Sequence, residues 1–224
     1  MRIEIKNIID SLEFFSNLDN YQKELLVSIS SLKTYESKTL LHYEKSKSER
    51  LLFLIDGLAK AYKIDKYNNE IFLYHIHKQC MISEISSLQD ESLVSYSNIV
   101  FMETSKVLAI DYIPFKTQFL DNNLLCIELA SEVISQSKRL QDLINREFIF
   151  DSVAKVAMIL STDLDMFNRL KRYDVSLMIN IQPSTLSRVL SRLKRKGVID
   201  IERGEVIILN KQSLSKIYKG LEHE

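Results

Sequence analysis

Residues 179–197 hold most of the side chains in this sequence that could recognise another polymer. They read INIQPSTLSRVLSRLKRKG, and the nine positions from 188 to 196 contain five cations and no acid. Hydroxyl, amide and guanidinium groups bind phosphate and the edges of nucleotide bases, and one arginine can pair with a guanine through two hydrogen bonds. The residues to which we assign this chemistry are Gln182, Ser184, Thr185, Ser187, Arg188 and Arg192.

The spacing of this segment predicts two helices joined by a short turn. An apolar helix ends at Asn180, which tolerates the left-handed conformation, and Pro183 suits the first turn of the next helix. Ser184 and Thr185 then lie where free backbone N–H groups attract phosphate, and Arg188 lies one turn further along. The opposite face carries apolar residues that can be buried, namely Leu186, Val189, Leu190 and Leu193. Such a helix-turn-helix reads bases with the N-terminal residues of its second helix.

The basic excess in this region is local. The 224 residues include 30 Lys and Arg against 30 Asp and Glu. This balance argues against a protein that coats nucleic acid or membranes without specificity, because such binding needs a net charge of one sign. Between positions 169 and 196 the single acid Asp174 accompanies eight cations, which are Arg169, Lys171, Arg172, Arg188, Arg192, Lys194, Arg195 and Lys196. A solvated basic helix end is the alternative interpretation.

Strand-like segments fill the middle of the first half of the chain. Residues 51–64 are rich in β-branched and aromatic side chains and are interrupted by Gly57, as at a turn or bulge. Residues 70–77 alternate in the period-two sense, and residues 95–111 supply two more short strands. We therefore predict a compact antiparallel barrel or sandwich. A last pair of strands is expected in residues 198–210, around a turn at Arg203 and Gly204.

A long helical pattern follows the predicted barrel. No Gly or Pro occurs from Phe115 to Leu143, and small or apolar residues recur at alternating steps of four and three. This seam consists of Cys126, Ala130, Val133, Ser137, Leu140 and Ile144. Such spacing is typical of two helices that pack together, and so it suggests a dimer. Packing of the same face against the chain's own barrel is the alternative.

With these motifs in place, nearly the whole chain resembles a Crp/Fnr family transcription regulator. Residues 32–88 resemble the family's sensor barrel, including the glycine of its "hxxGxh" strand (Gly57) and the glutamate of its ligand-binding cassette (Glu84). The segments QPSTLSRVLSRLKRKGVI and IERGEVIIL resemble its winged helix. The resemblance implies an α+β chain with a jelly-roll β-barrel sensor domain (1–114), a long dimerisation helix (115–146) and a winged helix-turn-helix DNA-binding domain (147–224).

The resemblance also implies a function and its partners. It implies a homodimeric, sequence-specific regulator, without enzymatic activity, that binds a palindromic operator in double-stranded DNA and contacts RNA polymerase. Arg188 occupies the place of the family's base-reading arginine, Ser187 that of the serine of its "ETxSR" motif, and Thr185 that of its phosphate-contacting threonine. Ser184 replaces the usual glutamate, a carboxylate that accepts from cytosine. The family's usual half-site should therefore not be assumed for this chain.

The predicted sensor departs from the cyclic-nucleotide pattern of the family. Ser83 replaces the glycine of the "GE…RxS/A" cassette, and residues 87–98 contain no basic residue that could pair with a cyclic phosphate. We therefore do not expect cyclic AMP as the effector, and the sequence leaves the cofactor unknown. An iron–sulfur cluster is not expected, because Cys80 and Cys126 are the only cysteines and neither belongs to an N-terminal cluster.

Haem remains one possible sensor group, and it would make the chain a sensor of nitric oxide, carbon monoxide or redox state. Cys80 lies where a carbon-monoxide sensor of the family carries its haem cysteine, and His75 and His77 share one face of a predicted strand. In the simpler interpretation the histidines are solvated and Cys80 is a small core residue. No other metal site is expected.

Two other functions remain open at this point. A sensor module could act through protein partners without specific DNA binding, or Cys80 could serve a thiol enzyme with His75 or His77 as base, although no oxyanion loop accompanies them. The N-terminus lacks the apolar region of a secretion signal, and no apolar run approaches the ~20 residues of a membrane span. We therefore expect a cytoplasmic protein with no membrane partner.

Overall fold

The fold is α+β, and its elements follow the predicted order of sheet-rich domain, long helix and helix-turn-helix domain with a β-hairpin. The computed structural model describes residues 2–85 and 87–219. The chain divides into two compact units, Met1–Leu140 and Gln141–Glu224.

Two helices and ten strands build most of the first unit. The helices are α1 (Arg2–Ser11) and α2 (Asn20–Ser28), and a 3₁₀ turn, Glu13–Phe15, lies between them. The strands are β1 (Ser30–Tyr35), β2 (Leu40–His42), β3 (Lys47–Ser48), β4 (Arg50–Asp56), β5 (Ala59–Ile64), β6 (Glu70–Ile76), β7 (Cys80–Met81), β8 (Leu93–Val94), β9 (Asn98–Phe101) and β10 (Ser105–Asp111). They form two antiparallel four-stranded sheets, in the orders β1-β10-β4-β7 and β2-β9-β5-β6, and β3 pairs with β8. Two such sheets are the arrangement of a jelly roll.

The central strands β4 and β10 are buried on both faces. Leu52 and Leu54 of β4 point into the core between the two sheets, whereas Leu51 and Phe53 point into a second core beneath α1, α2 and the chain after β10. This alternation follows from the period-two geometry of a strand. The continuous apolar run that the sequence shows at 51–55 is therefore explained by burial on both sides.

Gly57 lies in the turn between β4 and β5, and its backbone requires glycine. Its φ is +101°, and a Cβ atom there would lie 2.2 Å from Ser105 Oγ and 2.8 Å from Ser105 Cα. The adjacent strand therefore leaves no space for a side chain. This position, at which the sequence predicts a turn or bulge, joins the two four-stranded sheets of the first unit.

The long helix begins later than its sequence suggests. The segment after β10 contains α3 (Tyr112–Gln118), a 3₁₀ turn and then α4 (Cys126–Ile144), which continues into a π-helical turn, Asn145–Ile149. Two residues in the left-handed conformation, Asn123 and Leu125, separate α3 from α4. The expectation of one helix from residue 115 was wrong in this respect, because burial of Phe115, Phe119 and Leu125 in one core overrides local helix propensity.

Helices and one hairpin form the second unit. Its elements are α5 (Ser152–Thr162), α6 (Leu164–Arg169), α7 (Arg172–Met178), α8 (Pro183–Arg195), β11 (Ile199–Glu202), β12 (Glu205–Ile208) and α9 (Lys211–Lys219). The carboxylates of Asp151 and Asp163 accept hydrogen bonds from backbone N–H groups in the first turns of α5 and α6. The hairpin predicted in residues 198–210 is confirmed as β11 and β12.

Candidate nucleic-acid interface and sensor cassette

The turn between α7 and α8 has the predicted conformation. Asn180 has a φ of 50°, and Pro183 is the first residue of α8. The two helices are joined by the four residues from Ile179 to Gln182. Gln182 is the N-cap residue and is exposed. The left-handed conformation of Asn180 thus ends α7, and Pro183 begins α8.

The second helix separates its polar and apolar residues on opposite faces. Leu186, Val189, Leu190 and Leu193 are buried, and Leu186 and Leu193 are each 1% exposed. Among the predicted contacts Thr185 is partly buried, and the exposed residues are Gln182, Ser184, Ser187, Arg188 and Arg192. The structure therefore brings these residues together on one solvent-facing surface of α8, while their role as DNA contacts stays a prediction.

A basic groove of about 850 Å³ runs along the C-terminal half of this surface. Its lining includes Ser187, Arg188, Ser191, Arg192 and Arg195. The Arg188 Nε donates a long hydrogen bond of 3.4 Å to the carbonyl oxygen of Ser184, one turn back on the same exposed face. The contact is weak enough that a nucleotide base could replace it.

At least two of the eight cations in the predicted basic cluster pair with groups of their own domain. The Lys194 Nζ lies 2.5 Å from Asp200 Oδ1, and this interaction lowers the pKa of the Asp200 carboxyl. Arg172 donates to the carbonyl oxygens of Phe167 and Gly204, and burial lowers its pKa. The sequence count therefore overstates the cations available to an external polyanion.

The predicted dimer seam lies on the solvent-facing side of α4. Val133, Leu140 and Ile144 are 43%, 49% and 45% exposed, and the remaining seam residues, Cys126, Ala130 and Ser137, are exposed as well. The barrel-facing side of the helix is a different stripe, which comprises Leu129, Glu132, Gln136 and Arg139. The helix thus packs against its own barrel through a second set of residues. The seam residues Cys126, Ala130 and Val133 line an open cavity of about 530 Å³ beside Ile85 and Leu88, and Ser137, Leu140 and Ile144 face solvent.

The cassette residue Glu84 is held by donors from its own domain. Its Oε1 accepts from Tyr74 Oη at 2.9 Å and from Ser97 Oγ at 3.3 Å. Its Oε2 accepts from the backbone N–H of Tyr96 and from Ser95 Oγ at 3.3 Å. Burial, together with the negative charge of Glu84, raises the pKa of Tyr74, so this phenol remains a donor.

Residues of α4 contact the same cassette, although no motif in the sequence pointed to them. The Arg139 guanidinium lies 5.3 Å from the ring centroid of Tyr74 and donates to Glu132 Oε1 at 2.9 Å. The Gln136 Nε2 donates to the carbonyl oxygen of Ser83, next to Glu84, at 3.1 Å. A cation therefore lies beside the cassette although the cassette loop itself has none. The only sequence signal for these residues is their spacing: positions 132, 136 and 139 are four and three residues apart, which places them on the same face of a helix.

The predicted haem ligands differ in burial and in the residues that surround them. Cys80 lines a cavity of about 730 Å³ together with Phe14, Phe53 and Ile127, and the described residues that line it include neither His75 nor His77. The two histidine rings are neighbours, with centroids 6.2 Å apart, but His75 is buried and His77 is exposed. Burial raises the pKa of the Cys80 thiol, which disfavours the thiolate that binds iron. These residues therefore do not fit a haem site, and within 2–85 and 87–219 no three His, Cys, Asp or Glu side chains form a metal cluster.

Comparison with known proteins agrees with this architecture. The family model described as the Crp-like helix-turn-helix domain matches residues 154–217. The anaerobic regulatory protein of Bacillus subtilis (strain 168) is 26% identical to this chain over 204 residues, and the match covers 84% of each chain. This chain is a DNA-binding transcription regulator of the Crp/Fnr type.

Solved structures of Crp/Fnr regulators share the fold of this one. FixK2 from Bradyrhizobium japonicum matches with a TM-score of 0.70 and 13% identity, over 84% of this chain and 97% of its own. A CooA mutant from Carboxydothermus hydrogenoformans matches with a TM-score of 0.71 and 16% identity, over 92% and 95% of the two chains. At these identities the matches establish the Crp/Fnr fold and not the signal. In the described part of the chain, no helix is both long and apolar enough to cross a bilayer.

Proposed function

We propose that this Crp/Fnr regulator acts in the cytoplasm as a homodimer that reads a palindromic operator and contacts RNA polymerase. The observation that carries the proposal is the exposed polar face of α8, on which Ser184, Ser187, Arg188 and Arg192 lie opposite a buried apolar face. Arg188 is the residue best placed to read a base, because it is exposed and lies one turn from the N-terminal end of the helix.

The exposed seam of α4 supports the dimer. Val133, Leu140 and Ile144 leave about half of their apolar side chains in solvent, at spacings of seven and four residues. Pairing with the same face of a second copy would bury them in the geometry of a two-helix coiled coil. Such a dimer would present two copies of α8 to two half-sites, as a palindrome requires.

The cassette supports control by a signal at the sensor barrel. Glu84 accepts from four donors of its own domain, and the Tyr74 ring and the Ser83 carbonyl in turn contact Arg139 and Gln136 of α4. A ligand that competes for Glu84 would therefore disturb the helix that carries the dimer seam. The cation beside the cassette, Arg139, is already paired with Glu132, which argues against a cyclic phosphate as that ligand.

Selection of DNA sequences by the full chain, followed by gel shifts, tests the proposal. Arg188→Ala should flatten the preference at one base pair in each half-site by about 1–3 kcal/mol. The matched control is Arg195→Ala, an exposed cation near the other end of α8, which should weaken binding to all sequences equally. If wild type selects no sequence, specific DNA recognition is refuted and a module that acts through protein partners is favoured. If Arg188→Ala keeps the wild-type preference, the role of Arg188 is refuted.

A further inference from the structure

The hairpin of β11 and β12 depends on the rest of its domain for its position. Only four residue pairs join the two strands, from Ile199 with Ile208 to Glu202 with Glu205, and no further strand extends this sheet in the described chain. An isolated two-stranded hairpin is marginally stable in water. Other elements must therefore fix the wing, as we call residues 199–208, beside α8.

One anchor of the wing comes from Asn168, the next-to-last residue of α6. Its Nδ2 donates to the Val206 carbonyl oxygen at 3.0 Å, and its Oδ1 accepts from the Val206 N–H at 2.9 Å. The side-chain amide thus satisfies both backbone groups of one residue on β12. Val206 is 1% exposed, so solvent cannot replace these two hydrogen bonds.

The second anchor is the guanidinium of Arg172, in the first turn of α7. Its Nη1 donates to the Phe167 carbonyl oxygen at 2.8 Å, and its Nη2 donates to the Gly204 carbonyl oxygen at 2.7 Å. The guanidinium carbon lies 4.3 Å from the centroid of the Phe167 ring, which is fully buried. One planar group therefore joins α6 to the tip of the wing. A lysine cannot replace it, because its ammonium group cannot stack flat on the Phe167 ring while donating to both carbonyl oxygens.

The anchored turn presents a different cation to solvent. Arg203, next to Gly204, is exposed and has a φ of 49°, whereas Arg172 is partly buried with two of its nitrogens donating to carbonyls. On the other side of the wing, Lys194 of α8 pairs with Asp200 of β11. The wing is thus held between α8 and the junction of α6 and α7.

We propose that Arg172 is a positioning residue that fixes the wing for DNA binding, and that it does not neutralise a phosphate. The inference rests on the proposed DNA recognition. A phosphate contact would require Arg172 to give up two short hydrogen bonds and its place on the Phe167 ring. A wing that is already ordered binds without a further loss of conformational entropy, and a loosened wing must be ordered on binding.

Salt dependence separates the two roles of an arginine at this position. Each phosphate contact contributes about −0.9 to the slope of log K against log salt concentration, whereas a positioning residue contributes nothing to it. Binding of the selected operator to full-length protein would be measured by fluorescence anisotropy at several salt concentrations. The variants are Arg172→Ala, Arg172→Lys and Asn168→Ala, and Arg203→Ala is the exposed wing control.

We expect Arg172→Ala to weaken binding about tenfold, the loss expected when a few wing side chains must be ordered on binding. The salt slope should equal that of wild type, Arg172→Lys should not restore affinity, and Asn168→Ala should behave in the same way. Arg203→Ala should instead lower the slope by about 0.9 per chain if the wing tip contacts a phosphate. A lower slope in Arg172→Ala, with rescue by Arg172→Lys, would overturn the proposal.

Hydrogen exchange provides a readout that needs no DNA. In wild type the Val206 N–H is bonded to Asn168 and buried, so its exchange should be slow. Arg172→Lys keeps the charge and most of the side-chain volume. In this variant the backbone amides of residues 203–206 should exchange faster than in wild type, while the exchange rates in α8 stay the same. Equal exchange in wild type and Arg172→Lys would refute the anchor. If wild type selects no operator, the proposed function fails, and the exchange result still decides whether Arg172 fixes the wing.

Discussion

The contact between Tyr74 and Glu84 provides a sharp test of the sensor cassette. Tyr74→Phe removes one hydroxyl donor at 2.9 Å and keeps the ring that faces Arg139. A hydrogen bond to a charged group contributes about 1.5–3 kcal/mol. Glu84 keeps three other donors from Ser95, Tyr96 and Ser97, so we expect the lower end, about 1.5 kcal/mol, in the free energy of unfolding of the sensor unit.

The assay is denaturant unfolding of the full chain, with hydrogen exchange to locate the effect. Tyr74→Phe should destabilise the barrel without faster exchange in α4, because the aromatic ring still supports Arg139. Tyr74→Leu, the matched variant, removes the ring as well and should also increase exchange around Glu132, Gln136 and Arg139. Equal stability of wild type and Tyr74→Phe would refute the hydrogen bond, and equal α4 exchange in Tyr74→Leu would refute the link to the helix.

The pH dependence of the same pair has a definite sign. Burial and the nearby Glu84 raise the pKa of Tyr74, so the folded state holds the phenolic proton more tightly than the unfolded chain does. The stabilisation by Tyr74 is therefore fully present below the unfolded pKa of about 10 and is lost as the pH rises above it. The difference in unfolding free energy between wild type and Tyr74→Phe should shrink above about pH 10. A difference that is constant up to pH 11 would contradict the raised pKa.

Three further results are expected. Gly57→Ala should destabilise the sensor unit by about 3 kcal/mol or more, because it adds a strained positive φ and a clash with Ser105, and Ser105→Gly in the same chain should relieve only part of this loss, as urea unfolding would show. Leu140→Asp should convert a dimer to a monomer in sedimentation velocity and weaken operator binding, whereas Lys138→Asp, also exposed on α4 but outside the seam, should leave the dimer intact. Protein purified from haem-replete cells should show no Soret band, and a Soret band that shifts with carbon monoxide would contradict our interpretation of Cys80.

The elements that sequence reasoning predicted well are those set by local patterns. Residue types within a few positions of each other are enough to predict these elements. They are the strands β4, β5 and β6, the turns at Gly57 and Asn180, the start of α8 at Pro183 and the final hairpin. Period-two alternation, positive φ and the missing N–H of proline act on the chain locally. Such features can therefore be read without knowledge of the fold.

Predictions that depended on distant contacts were less accurate. The helical pattern predicts a long helix from Phe115, whereas α4 begins at Cys126, because burial of Phe115, Phe119 and Leu125 interrupts the helix. Cys80, His75 and His77 are all candidate haem ligands by sequence, whereas in the structure Cys80 lines a cavity whose described lining includes neither histidine. Arg139 was not identified, because its role depends on a helix that folds back over the cassette from more than fifty residues away.

The sequence by itself determined the order of the elements and the polar face of α8, because each depends on residue types at short spacings. Only the tertiary structure decided which cations are available. Arg172 and Lys194 look like Arg188 and Arg192 in the sequence, yet the first two are engaged by Gly204 and Asp200. The physical reason is that the partner of a cation can lie in another element of the fold, and the spacing of cations does not record which carbonyl or carboxylate lies within 3 Å of each one.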